Sequence, residues 1–157
     1  MSGDYQLVPL ANGAKTLFSA SYGEKMHPGL GPAAEADLLY VRQLNICERM
    51  RSGAGEFVVW DIGLGGAANA IALLRATRDI SGHLRMVSFD NTAEPLEFTR
   101  HNAAALDYPV GYEEQIAALQ RERRVTFANC KLNVQWEFHL GDFPLLLKSE
   151  IANRKSK

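Results

Sequence analysis

The stretch Phe57-Val58-Val59-Trp60-Asp61-Ile62-Gly63-Leu64-Gly65-Gly66-Ala67-Ala68-Asn69 runs an apolar strand into an acid, a glycine turn and the start of a helix. That order is the layout of a nucleotide-binding βα unit. The glycines permit a tight, close-approaching backbone, and the N–H groups that open the helix attract an anion such as a carboxylate or phosphate.

Glycine spacing alone leaves two cofactor classes open, because Gly63-x-Gly65-x-x-Ala68 also satisfies the G-x-G-x-x-A form of the dinucleotide fingerprint. Asp61 separates them. A carboxylate at the tip of the first strand repels a pyrophosphate but favourably faces an ammonium group. S-adenosylmethionine carries such a group on its amino-acid moiety, and NAD does not.

Two further acids extend the pattern. Leu84 to Phe89 reads as a second strand with Asp90 at its carboxyl end, 24 positions after Gly66, where the ribose-binding acid of such units is expected. A carboxylate there accepts hydrogen bonds from both ribose hydroxyls; a helix cap or a solvated loop acid is the other reading of Asp90. The third acid, in Leu140-Gly141-Asp142, follows another strand-like run. Asp142 is suited to an exocyclic adenine amine or to capping a helix that begins at Phe143-Pro144, and the two roles are compatible. Three strands side by side bring all three acids to one sheet edge.

The 157 residues, 46% of them hydrophobic, bury one ordinary core, so a single domain over 1–157 is expected. Within it, 1–52 form a lead-in and 53–157 the cofactor-binding part. A net charge of −1 excludes a broadly basic nucleic-acid binder, although Arg121, Arg123 and Arg124 form a local basic cluster after a predicted helix. Cys47 and Cys130 stand far apart and outside any C-x-x-C pattern, so neither a disulfide framework nor a metal site is expected. A reducing, cytoplasmic setting fits, with no apolar run of membrane-spanning length and no signal pattern.

In the lead-in, Tyr5 to Leu10 and Thr16 to Ser19 flank Asn12-Gly13 and predict a β-hairpin. The glycines and prolines of Ser21 to Pro32 predict a loop, a candidate lid carrying Tyr22, Glu24 and His27. A single helix is expected from Ala33 to about Met50, with Leu38, Val41 and Ile46 among its apolar positions. Further helices fit Ala67 to Thr77, Glu94 to Leu106 and Tyr112 to Arg121, with Pro95 in a first turn. Alternation from Leu132 to Leu140 predicts a strand with one wet face, pairing with Val125 to Ala128 as an antiparallel hairpin on one side of the sheet. His139 lies on that wet face as a strand residue, and the tail Asn153 to Lys157 reads as frayed.

On these residues the chain resembles the methyltransferase domain of the MnmC-like proteins, which methylate a primary aminomethyl group on the wobble uridine of certain tRNAs. The Asn-Gly hairpin, Ser21-x-x-Glu24, the glycine turn closing with Asn69, Asp90 and Gly141-Asp142 carry the resemblance. It implies an α/β, class I S-adenosylmethionine-dependent methyltransferase (Rossmann-like) fold with an N-terminal β-hairpin and helix. The cofactor-binding set would be Asp61, Gly63, Gly65, Gly66, Asn69, Asp90 and Asp142, with tRNA as a partner. Direct displacement at a sulfonium methyl needs alignment, water exclusion and an acceptor for the amine's proton. Glu24 is the candidate to touch the cofactor or accept that proton, against a solvated loop acid as the alternative.

Two departures qualify the resemblance. The family's third turn glycine falls on Ala67, and its Asp-Pro-aromatic segment on the fourth strand is absent from the sequence. An incomplete sheet is therefore expected, from a truncated chain or a shortened gene product, with an exposed edge covered by a second copy or by a further C-terminal region. Whether such a chain is itself an enzyme is left open. A small-molecule methyltransferase, a nicotinamide-dependent oxidoreductase and a non-catalytic module are the alternatives.

Overall fold

The computed structural model describes residues 3–148, so the tail from Asn153 lies outside the described residues. Strands β1 (Tyr5–Pro9) and β2 (Lys15–Ser19) pair antiparallel from Tyr5↔Ser19 to Pro9↔Lys15, and β3 (Glu24–Lys25) adds to the other side of β2. The hairpin thus supplies two of the three strands of a small sheet. Its connection is longer than an Asn-Gly turn: Leu10 N–H donates to Ala14 O at 2.8 Å, and Gly13 takes a φ of 84°. Asn12 instead spends its amide on tethering, accepting from Ala14 N–H and donating to Leu30 O, each at 3.1 Å.

The single helix expected over 33–50 is broken. It divides into α1 (Pro32–Ala36), a π-helical turn over Asp37–Arg42, and α2 (Ile46–Ser52), with Asn45 in the left-handed region at φ 51°. The residues the core takes, Ala36, Val41 and Ile46, are five apart, a spacing no 3.6-residue helix keeps on one face. An i→i+5 turn, closed by Gln43 N–H to Leu38 O at 3.1 Å, brings them round instead. Leu38, counted as a core position from spacing, is 49% exposed as a result.

The main sheet is built from β4 (Glu56–Ile62), α3 (Ala68–Thr77), β5 (Gly82–Asp90), α4 (Glu94–His101), α5 (Ala103–Leu106), α6 (Glu113–Glu122), β6 (Arg124–Asn129) and β7 (Leu132–Leu140). Its order is β4-β5-β7-β6, with β4, β5 and β7 parallel and β6 antiparallel to β7. This is an open, mixed α/β sheet of Rossmann-like architecture. The β6–β7 hairpin forms as the alternation predicts, but β7 lies inside the sheet and β6 takes the edge. Burial explains the placement, since Leu132, Val134, Trp136 and Phe138 are all at most 2% exposed. The helix expected over 94–106 breaks at Asn102, whose side-chain amide donates to Phe98 O at 2.8 Å.

One sheet face carries Val59, Met86 and Trp136, which join Tyr5 and Leu17 of the small sheet and Ile71 and Ile116 of the helices in one core. On the other face Val58, Trp60 and Ile62 are 48%, 51% and 59% exposed, and β4 has a hydrogen-bonded neighbour on one side only among the described residues. The open edge and apolar face expected from the sequence are present. No helix among the described residues is long and apolar enough to cross a membrane.

Candidate functional site

Parallel pairing fixes the carboxyl ends of the strands at one edge. Ile62 lies opposite Phe89, and Asp90 opposite Leu140. The chain leaving β4 turns back at once, with Gly63 and Leu64 N–H both donating to Phe89 O, at 2.8 and 3.0 Å. Gly63 (φ 89°) and Gly65 (φ 52°) use the conformations that favour glycine, and Ala67 also sits there at φ 63°. Gly65 N–H donates to Asp90 Oδ2 at 2.8 Å, while Thr92 N–H donates to Asp90 Oδ1 at 3.2 Å.

The turn glycines serve different ends. A Cβ on Gly66 would stand 2.5 Å from Thr99 Oγ1 and 2.8 Å from the Tyr108 hydroxyl, so this glycine lets α4 and the following turn close in. Tyr108 donates to Gly66 O at 2.7 Å, and burial pushes the pKa of its hydroxyl well above the ordinary range. A Cβ on Gly63 would meet nothing within 4 Å.

Asp61 faces the helix side of the sheet. Trp136 Nε1 donates to Ser88 Oγ, which donates in turn to Asp61 Oδ2, both at 2.9 Å. Burial raises the pKa of Asp61 from 3.8 to about 6; the Ser88 bond opposes this and the Asp90 charge adds to it. Beside it, Asn69 Oδ1 is the one buried side-chain polar atom without a hydrogen-bond partner among the described residues. Such an atom is costly unless something supplies a donor.

Three cavities follow one another along this edge. The first, about 110 Å³, is lined by Asp61, Asn69, Tyr40, Leu44 and Trp60 among others. The second, about 340 Å³, takes in Gly63 to Gly66, Asn69, Tyr40, His27, Met26 and Asp90. The third, about 350 Å³, is lined by Asp90, Asn91, Thr92, Tyr22, Glu24 and Met26 with neighbours. Tyr40 and Asn69 belong to the first two, Met26 and Asp90 to the last two, so the cavities form one groove.

Of the residues singled out in the sequence, Asp61, Gly63, Gly65, Gly66, Asn69, Asp90 and Glu24 come together along this groove. Asp142 does not line it. It stands at the same edge, where its Oδ1 accepts from Leu145 N–H at 3.1 Å and caps the helical turn over 143–148. Glu24 and Tyr22 are exposed, Tyr22 at 73%, so Tyr22 does not anchor its loop to the core. His139 stacks on Phe89 at 5.2 Å on the bare face and lies outside the groove.

The loop over 21–32 is pinned rather than free. Asp4 accepts from Ser19 Oγ at 2.6 Å and from both Ser21 N–H and Ser21 Oγ, bonds that hold its carboxyl below the usual range. His27 N–H donates to Thr16 Oγ1 at 3.3 Å, and Glu35 Oε1 accepts from Gly29, Leu30 and Gly31 N–H at 2.7, 2.7 and 3.3 Å. Sequence reasoning missed Glu35, Tyr40 and Ser88; His27, named there on the loop, lines the groove. Glu35 was readable in kind, as an acid in the first turn of a helix reaching back to loop amides. Tyr40 was hidden by the π turn.

No family model and no curated protein matches this chain. Among solved structures, its fold is similar to that of MnmC2 from Aquifex aeolicus. The TM-score is 0.63 at 22% identity over 94% of this chain. The chain spans about half the length of MnmC2, 46% of it. At that identity the likeness to MnmC2 concerns the fold, an open mixed sheet preceded by a lead-in.

Proposed function

We propose that this chain holds S-adenosylmethionine and is the cofactor part of an MnmC-like N-methyltransferase acting on the 5-aminomethyl group of a tRNA wobble uridine. One observation carries the reading: along a single groove, acceptors for an ammonium, a glycine turn and a ribose-type acid occur in the order of an adenosylated amino acid. One domain over 1–157, of cytoplasmic location, is part of the proposal.

The residues fit the group. Asp61 and the unpaired Asn69 Oδ1 offer acceptors to an ammonium, and Gly63 leaves open the space a Cβ would enter. Asp90, while clamping Gly65, keeps lone pairs for ribose hydroxyls. Asn91, Thr92 and Tyr22 offer an adenine ring polar and stacking partners. A dinucleotide fits less well, because its pyrophosphate at the turn would meet the carboxylates of Asp61 and Asp90.

When bound, S-adenosylmethionine supplies an electrophilic methyl that the lone pair of a neutral amine takes, the carbon–sulfur bonding pair staying on sulfur and the amine losing a proton. What the chain does is hold and align. The pinned loop walls off the groove, with Met26 Sδ 3.7 Å from where a Gly65 Cβ would stand. Glu24, exposed at the outer cavity, is our candidate acceptor for the amine's proton. For tRNA, Arg123 and Arg124 line a shallow surface beside β6, Arg123 stacked over Phe138 at 5.1 Å. Binding through them weakens as salt rises.

A second reading, a binding module without turnover, is favoured by the β4 edge, which has no further strand paired to it among the described residues. Calorimetry tests the shared claim. One S-adenosylmethionine per chain with no heat from NAD is expected; no heat at millimolar S-adenosylmethionine contradicts both readings. Methyl transfer to tRNA by the purified chain then decides between them.

A further inference from the structure

The groove has a charge character of its own. Among the described residues its two inner cavities are lined by the carboxylates of Asp61 and Asp90, by His27 and by the orphan carbonyl oxygen of Asn69, and by no lysine or arginine. Low-dielectric walls of one sign concentrate ligands of the other. Burial keeps the His27 pKa below its ordinary value, with Glu35 opposing, so this imidazole is neutral near pH 7 and adds no positive charge. These two inner cavities favour a cation, while the outer one sets Lys25 beside Glu24 and Asp90.

A sulfonium-bearing amino acid offers two positive centres. Its ammonium has N–H donors, which Asp61 and Asn69 Oδ1 can accept. The sulfonium has none. It carries its charge on sulfur and the adjoining carbons, is weakly hydrated, and is best met by an aromatic face. It lies between the amino-acid end of the ligand and the ribose.

Tyr40 is the aromatic residue placed there. It lines the cavity of Asp61 and the cavity of the turn and Asp90, and among the described residues only Asn69 shares that position. The core does not explain it, for it is 47% exposed while Ala36, Val41 and Ile46 do the packing. Its backbone lies in the π turn of Asp37–Arg42, a conformation that is rare and concentrated at functional sites. Taking the cofactor reading above as its basis, we propose that Tyr40 recognises the sulfonium charge through its ring face and so sets the preference for S-adenosylmethionine over the neutral thioether S-adenosylhomocysteine.

The test is the ratio of the two affinities, measured by calorimetry on the full chain and on Tyr40→Phe, Tyr40→Leu and Tyr40→Gln, with circular dichroism melts reporting folding. An aromatic–cation contact predicts that Tyr40→Leu loses roughly three- to thirtyfold in S-adenosylmethionine affinity with little change for S-adenosylhomocysteine. Tyr40→Phe should keep the parent ratio, and Tyr40→Gln gives the same comparison at the same position should the leucine variant fail to fold. Equal weakening of both ligands in the non-aromatic variants overturns the proposal, because Tyr40 then only fills space, and leaves the cofactor reading standing. Failure of the unsubstituted chain to bind either ligand overturns both.

Discussion

Gly65 N–H donates to Asp90 Oδ2 at 2.8 Å, so the acid that ends β5 is also the clamp on the glycine turn after β4. The proposed ribose contact and this clamp fall on one carboxylate, and substitutions separate them. Asp90→Ala leaves Gly65 and Thr92 N–H without their acceptor and should cost about 1–3 kcal/mol of stability in urea unfolding. Asp90→Asn keeps one of the two acceptor oxygens and sets a donor against the other N–H, so it should lose about as much stability as the alanine variant or somewhat less, about 1–2 kcal/mol, and lose roughly tenfold in S-adenosylmethionine affinity, a charged acceptor having become a neutral one. Unchanged affinity in both variants would mean that the acid is only a clamp.

Gly63 and Gly66 should lose stability on substitution by alanine for different reasons and differ in their effect on binding. Gly66→Ala forces a methyl against Thr99 and Tyr108 and should lower stability by about 1–3 kcal/mol through overpacking. Gly63→Ala meets no atom and suffers only its positive φ, a cost of about 1–2 kcal/mol. Its larger effect should be on ligand binding, since Gly63 lines the groove. Melting curves with and without S-adenosylmethionine distinguish the two: the ligand-induced rise in Tm should shrink more in Gly63→Ala.

Asp61 makes stability depend on pH in a known direction. Its pKa is about 6 in the fold against 3.8 for the free group, so the native state binds the extra proton between those values. Stability from this group is therefore greatest in acid and is lost as pH climbs from about 4 to about 6, by up to about 3 kcal/mol. Asp61→Asn should match the parent near pH 4 and exceed it at pH 7.5. Affinity for S-adenosylmethionine should rise over the same window in the parent, because an ionised carboxylate faces the ammonium, and stay flat in the variant. A parent–variant stability difference that does not change with pH contradicts this account.

The apolar face of β4 should make the chain associate. Val58, Trp60 and Ile62 are about half exposed beside a strand edge that is unpaired among the described residues and carries no lysine or proline to protect it. Light scattering should show self-association that grows with concentration, and Val58→Lys or Ile62→Lys should reduce it while leaving the Tm within a few degrees of the parent. A parent that stays monomeric at high concentration would argue against this.

Strong local signals made much of this readable in the sequence. The run Phe57 to Asn69 was legible as strand, turn and helix because its apolar strand, its glycines at positive φ and its helix formers agree locally with the sheet, Ala67 in the left-handed region being the exception. The alternation of Leu132 to Leu140 revealed a strand but not its position, since a wet-faced pattern suits an edge, and here polar Glu137 is matched across the sheet by Arg85 at 2.9 Å. The segment 33–50 misled because apolar residues occur at helical spacings that the core does not use, its actual contacts recurring every five residues. At the site, the acids and glycines were visible by type and order. Tyr40 and Ser88 were not, because they reach the groove through tertiary placement and no local pattern marks them.

The most direct test of the central claim is a crystal structure of the chain with S-adenosylmethionine. The account predicts the ammonium within hydrogen-bonding reach of Asp61 and Asn69 Oδ1 and the ribose hydroxyls on Asp90, with the sulfonium between them. A ligand bound with its adenine beside Asp61, or away from the turn that begins at Gly63, would contradict it.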